Sequence, residues 1–324
     1  MPHKPVPYIS IVVPVFNESR NLGALLHSIE KLNWPEDRRE LILVDNGSTD
    51  GSDDILKDAG RNGAVVVQEQ RRGSYAARNA GAAVARGEIF AFTDADCRPE
   101  PQWLLEGIGF LRHNGLDLVA GNVLQTMPEH RTLFDIVDRS IYLRQEWYAA
   151  QGFGATANLF VSAAAYRSVG GFDSRMQSSG DRLFCEKAGA NGFRLGFCSE
   201  AVVSHPTRSS LSSIARKELR LGFGFGQLAR LHPEEQGLRL FRETFLPVRG
   251  VRGCLRVRPT HISMPMLVAA LTCYGLVRIP FRTWGFLRAW NQHSRDQAIL
   301  HSVHRPGSIN GADNNNDGFP HSSS

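Results

Sequence analysis

One pattern constrains the fold more than any other: a short apolar run followed by a helix-period stretch, repeated along the first hundred residues. Apolar runs at 9–15, 41–44 and 64–67 are each followed by a helical pattern, at 21–32, 53–59 and 75–86, and a fourth run closes the series at 89–92. In the first helical stretch Leu22, Leu25, Leu26, Ile29 and Leu32 share one face. Strands that are apolar throughout are covered on both sides, so the alternation predicts an α/β chain. Its sheet is mostly parallel, flanked by helices and joined by right-handed crossovers. With 324 residues, 42% of them hydrophobic, the chain can bury such a core in one large or two smaller domains.

Open sheets of this kind bind ligands beyond the carboxyl ends of their strands. Asn17, Glu18, Asp45, Asn46, Asp94 and Asp96 all fall at such ends. Asp94 and Asp96 are two apart where the fourth run stops, so their carboxylates point to one side. Hard oxygen ligands in that arrangement suit Mg²⁺ or Mn²⁺, which accept phosphate oxygens as further ligands. Aspartates also serve turns and helix starts. The familiar phosphate loops are absent: no Gly-x-Gly-x-x-Gly follows the first strand and no Gly-x-x-x-x-Gly-Lys-Ser/Thr occurs. Gly222, Gly224 and Gly226 alternate outside any strand-to-helix turn and receive no phosphate role.

After Pro101 the pattern becomes irregular. A helix is expected over 103–113, a strand over 117–123 and an amphipathic helical stretch over 131–148. The small residues of 152–158 let backbone approach a ligand closely. Gly170-Gly171-Phe172-Asp173 reads as a turn, Gly180-Asp181 opens a helix, and a last strand over 201–204 ends at His205-Pro206. The Asn-, Ser- and Gly-rich tail from Asn310 is expected to be disordered. The five cysteines form no Cys-x-x-Cys pair and read as buried, reduced thiols. No charged-then-apolar leader opens the sequence, which points to a cytoplasmic body.

The net charge of +5 is unevenly spread, with sixteen Lys and Arg against five Asp and Glu over 208–305. Such a block suits a solvated face, an anionic membrane or a nucleic acid, and no recognised nucleic-acid module accompanies it. The apolar stretch 262–277 contains Pro265, Thr272 and Gly275 and is closed by Arg278. It is short of the ~20 residues that span a bilayer. Trp284, Phe286, Leu287 and Trp290 interleave with Arg278, Arg282 and Arg288, as in a basic, aromatic anchor lying on a membrane surface. Peripheral association with the inner face of the membrane is the expectation.

The segments Ser10-Ile11-Val12-Val13-Pro14-Val15-Phe16-Asn17-Glu18 and Leu43-Val44-Asp45-Asn46-Gly47-Ser48-Thr49-Asp50-Gly51 resemble the start of family 2 glycosyltransferases. Gly73-Ser74-Tyr75-Ala76-Ala77-Arg78-Asn79-Ala80-Gly81, Gly87-Glu88 and Asp94-Ala95-Asp96 continue the likeness in order and spacing. It extends more thinly through Thr156-Ala157-Asn158-Leu159, Gly170-Gly171-Phe172-Asp173 and Gly180-Asp181 to His205.

The resemblance implies a GT-A fold and inverting transfer from a nucleotide-diphospho-sugar, a UDP- or GDP-sugar. It implies that Asp45 bonds the nucleobase, that Pro14, Asn17 and Glu18 line the nucleoside pocket, and that Arg72 and Arg78 face the nucleotide. By the same likeness Asp94 binds ribose or metal, Asp96 binds Mn²⁺ or Mg²⁺ with His205 as an additional ligand, and Asp181 is the general base. A single displacement needs such a base on the acceptor hydroxyl. The family usually carries Glu-Asp where this chain has Gly180-Asp181. Processive members add Gln-x-x-Arg-Trp, whereas Gln227-Leu228-Ala229-Arg230-Leu231 lacks the Trp, so transfer of single sugars to a saccharide or lipid-linked acceptor is expected.

The implied division is a glycosyltransferase domain over 1–206, with a nucleotide-sugar half at 8–125 and an acceptor half at 126–206. A basic helical region follows at 207–305, then a disordered tail at 306–324. A non-catalytic nucleotide-sugar-binding protein, a nucleic-acid-binding protein and a nucleotidyltransferase are the rival readings. The last normally brings a glycine-rich phosphate loop near its N-terminus that this chain lacks.

Overall fold

The structure, a computed structural model, describes residues 5–130, 132–231 and 264–303; the tail expected to be disordered lies outside the described residues. The N-terminal repeat folds as its apolar runs require. β1 (Ile9–Val15), β2 (Arg39–Asp45), β3 (Val65–Gln68) and β4 (Ile89–Thr93) are joined through α1 (Ser19–Glu30), α2 (Ser52–Arg61) and α3 (Ser74–Val84). These four strands are mutually parallel, in the order β3-β2-β1-β4.

Beyond them the chain adds β5 (Arg98–Pro99), α4 (Trp103–His113), β6 (Leu118–Thr126), α5 (Leu133–Ile141) and α6 (Gln145–Ala149). It continues with β7 (Asn158–Ser162), α7 (Ala163–Val169), α8 (Gly180–Ala190) and β8 (Leu195–Pro206). The sheet has eight strands, in the order β3-β2-β1-β4-β7-β6-β8-β5. β7 runs antiparallel between β4 and β6, β8 lies parallel to β6, and the short β5 is antiparallel to β8. The parallel expectation therefore holds for the first half and gives way to a mixed second half.

Side-chain alternation sends residues to two cores, one on each face of the sheet. Ile9, Ile11, Val13 and Val15 meet Leu22, Leu25, Leu56, Trp103 and Phe160 on one side. Val12, Ile42, Val44, Phe90 and Phe92 meet Ala77, Tyr166, Leu183 and Phe184 on the other. Truncating a fully buried ring such as Phe92 to Ala costs about 3–5 kcal/mol by this kind of packing. Glycine 81 lets α3 lie tight on the sheet, since a Cβ there would come within 2.6 Å of Val12.

Three expectations change. The amphipathic stretch 131–148 is broken: α5 ends at Ile141, Tyr142 is extended, Leu143 takes a left-handed φ of 51°, and α6 starts anew. The strand expected over 201–204 is the end of the longer β8, which carries an irregularity opposite Gly121/Asn122. Of Arg278, Arg282 and Arg288, only Arg288 shares the exposed surface with the aromatics of the C-terminal helix. α9 (Leu211–Leu231) packs along α10 (Met264–Val303), and Arg278 and Arg282 are buried on the inner side of α10. Leu276, Ile279, Trp284, Leu287 and Trp290 face outward. Close helix contact explains the glycines without a phosphate role: a Cβ at Gly222 would overlap the Arg282 carbonyl oxygen, and one at Gly285 that of Leu219. Among the described residues no helix is long and apolar enough to cross a membrane.

Candidate active site

The carboxyl ends of β1, β2 and β4, the loop before β7, the start of α8 and the inner faces of α9 and α10 enclose one cavity of about 1440 Å³. Pro14, Glu18, Arg72, Arg78, Asp94, Asp96, Asp181 and His205 all line it. Asn17 and Asp45 do not. Asn17, at φ 56°, accepts a hydrogen bond from the Thr49 amide at 2.8 Å, and buried Asp45 accepts one from the Ser48 amide at 2.9 Å. Both side chains shape the loop after β2.

Asn46, next along the chain, does line the cavity. Its amide nitrogen donates to the Glu69 and Arg71 carbonyls at 2.7 and 2.8 Å, and its oxygen accepts from the Gly73 amide. That clamp brings the start of α3, and with it Arg72, to the mouth of the sheet. The Arg72 guanidinium stacks 4.5 Å from the centre of the Phe16 ring.

At the end of β4, buried Arg78 donates to Asp94, fixing that carboxylate. Asp96 faces His205, whose Nε2 lies 3.3 Å from Oδ2. The other histidine nitrogen, Nδ1, is 2.6 Å from the Pro206 carbonyl, which can only accept, so Nδ1 carries the proton. Nε2 is left facing the Asp96 carboxylate, an arrangement in which the two can share a proton or together hold a cation.

Asp94, Asp96 and Cys97 present candidate ligand atoms within 4.8 Å of one another. Burial pushes the Cys97 thiol well above its ordinary pKa, and it points to the Ala157 carbonyl, so the oxygens are the hard ligands. Burial, together with the charges of Asp96, Asp94 and Asp50, also raises the pKa of Glu18, although its bond from Asn21 opposes this. That crowding of negative charge fits a divalent ion such as Mn²⁺ or Mg²⁺.

Asp181 lies in the first turn of α8. Its Oδ1 accepts from the Arg182 amide at 2.9 Å and from the Tyr75 hydroxyl at 3.2 Å, and its Oδ2 faces the Thr156 amide at 3.4 Å. Burial raises its pKa, against those hydrogen bonds and the Arg78 charge. The glycine that replaces the family's usual Glu has a local cause: a Cβ at Gly180 would lie 2.7 Å from the Tyr75 ring. Tyr75 fills that space and reaches Asp181. The loop beside it is pinned by Gln145, which bonds Ala155 in both directions and the Asn158 carbonyl. Tyr75 and Gln145 carry no sequence signal of a role here, because each is set by a partner far along the chain.

The sequence model of glycosyl transferase family 2 matches residues 10–153. A glycosyltransferase of Haloferax volcanii, AglE, is 33% identical over 223 residues, covering 68% of this chain and 73% of that protein. The pre-mycofactocin glycosyltransferase of Mycobacterium tuberculosis is 27% identical over 236 residues, 70% of this chain and 48% of its own length. Among solved structures, a mannosyltransferase from Pyrobaculum calidifontis in complex with GDP-Man and Mn²⁺ superposes with a TM-score of 0.56 at 20% identity, covering 92% of this chain and 88% of that one.

Proposed function

The chain belongs to glycosyl transferase family 2 and has a GT-A fold, and we propose that it is a divalent-metal-dependent, inverting enzyme that moves one sugar from a UDP- or GDP-sugar to an acceptor hydroxyl. The observation that carries this reading is the placement of Asp94, Asp96 and His205 in the same cavity as the partly buried Asp181. Asp96 and His205 hold Mn²⁺ or Mg²⁺, with Asp94 locked beside them by Arg78. When bound, the ion offsets the charge that develops on the departing nucleoside diphosphate. Pro14, Glu18 and Arg72 border the nucleotide, and Asn17 and Asp45 act by shaping its loop.

Asp181 takes the proton from the acceptor hydroxyl as that oxygen bonds to the anomeric carbon and the bond to the diphosphate oxygen breaks. Tyr75 holds the carboxylate in line, and the partial burial that raises its pKa also makes it a better base. The outward apolar side of α10, with Leu276, Ile279, Trp284, Leu287 and Trp290, supports seating on the inner face of a membrane, beside a saccharide or lipid-linked acceptor.

A thermal-shift panel of UDP- and GDP-sugars with Mn²⁺ tests the proposal. A donor at 100 times its dissociation constant adds about 2.7 kcal/mol, a rise of several degrees. If no sugar nucleotide shifts the folded chain, the reading is wrong.

A further inference from the structure

The cavity is lined by nine Lys and Arg but only four Asp and Glu. Glu18, Asp94 and Asp96 stand together at the strand ends, with Arg72 and Arg78, and Arg182 turns to Glu186 at 2.9 Å. The remaining six cations, Arg144, Arg208, Lys217, Arg220, Arg278 and Arg282, form a separate wall built mainly by α9 and α10. Five of the six lie outside the residues 10–153 that the family model matches.

Part of this charge is compensated within the protein. Buried Asp138 takes Arg208 at 3.4 Å and Lys217 at 3.7 Å, and buried Glu218 takes Arg282 and the Tyr142 and Tyr274 hydroxyls. Arg144 and Arg220 pair with no carboxylate among the described residues. Lys217 is 8% exposed and sits 3.6 Å from the centre of the Tyr142 ring; burial, and then the Arg208 charge, push its pKa well down. Lys217, Arg278 and Arg282 of this wall are buried, whereas Arg144 and Arg220 reach solvent within the cavity, where an arriving anion can share their charge. The donor's diphosphate has its own counter-ion site at the strand ends.

The wall also adjoins the reacting centre. Arg220 acts electrostatically on Tyr75, which hydrogen-bonds Asp181, and Arg282 acts on Tyr148. Trp147, Leu221 and Phe225 line the cavity among these cations and offer apolar contact.

We infer that the wall is a subsite for a phosphoryl group carried by the acceptor, so that the molecule whose hydroxyl meets Asp181 bears a phosphate or diphosphate nearby. This rests on the transferase reading above and narrows its acceptor to a phosphorylated one, either lipid-borne or a soluble sugar phosphate.

The test is titration of the full-length chain, in chelator, with geranyl phosphate, geraniol and glucose 1-phosphate, for the wild type and for the double variant Arg144→Ala/Arg220→Ala. Neither arginine is buried, so their truncation leaves the core intact. Geranyl phosphate is expected to bind at least about tenfold more tightly than geraniol, and the double variant to lose about tenfold or more of that affinity, the scale of charge-assisted hydrogen bonds. Glucose 1-phosphate binding as tightly as geranyl phosphate would assign the phosphoryl group to a soluble acceptor. Equal binding of geranyl phosphate and geraniol, or an unchanged double variant, overturns the inference. Mn²⁺-dependent nucleotide binding, measured alongside, separates the two claims: its absence in the wild type would refute the transferase reading, whereas its presence without phosphate binding would refute the subsite alone.

Discussion

Replacing Asp181 by Asn separates chemistry from structure at the proposed base. The amide oxygen can occupy the Oδ1 position and keep the bonds from the Tyr75 hydroxyl and the Arg182 amide. The amide nitrogen then meets the Thr156 N–H, but only across a 3.4 Å contact, so about 1 kcal/mol or less is at stake. The charge works in the opposite direction. A carboxyl whose pKa is raised above 3.8 by folding costs stability once pH rises through that range, because ionising it is harder in the folded state than in the unfolded one. The asparagine escapes this cost. At pH 7.5 the variant should therefore melt within about 2–4 °C of the wild type or above it, and bind nucleotide with Mn²⁺ as the wild type does. Its rate at saturating donor should fall about 10²–10⁴-fold, since no group remains to take the acceptor proton. Saturating rates and melting curves on the same preparations provide the assay. A variant that turns over within about threefold of the wild type, or one that loses nucleotide binding together with several degrees of Tm, would refute the assignment.

The acidic limb of the wild-type rate profile should lie above the ordinary carboxylate value of 3.8, because activity is lost as the raised Asp181 pKa is crossed from above; a limb at or below that value would contradict it. Gly285→Ala places a methyl group against the Leu219 carbonyl and should destabilise by about 1–3 kcal/mol, read as a Tm drop of several degrees, whereas the exposed Gly109→Ala, with open space around it, should be neutral or better. Trp284→Glu with Leu287→Glu should abolish co-sedimentation with anionic vesicles while leaving Tm nearly unchanged, and retained vesicle binding would remove α10 from the membrane account.

The N-terminal half was legible because a strand buried on both faces writes itself as an apolar run, as β1, β2 and β4 do, and the half-buried edge strand β3 carries three valines in a row. Asp94 and Asp96 were legible for a simpler reason, two carboxylates of one parity at a strand end. β7 was not. Its five residues pass directly into α7 without a turn residue, and its antiparallel direction is set by pairing with β4 and β6 rather than by its own sequence. The break at Leu143 depends on a backbone angle that a leucine rarely adopts and that no residue type announces. The basic block was visible as charge but not as direction. What turns Arg282 inward is Glu218, with Tyr142 and Tyr274 around it, and no spacing rule links those four positions. Tyr75 is similarly silent, since its role follows from Gly180 leaving room for its ring 105 positions away.

Electron paramagnetic resonance of Mn²⁺ with the intact chain, alone and with UDP or GDP, addresses the metal-dependent donor site most directly. The wild type should take up one Mn²⁺ whose affinity rises with one of the two nucleotides, and Asp96→Ala should lose that uptake while melting at the wild-type temperature. Mn²⁺ uptake unchanged in Asp96→Ala, or nucleotide binding indifferent to chelator, would contradict a donor site built on Asp94, Asp96 and His205.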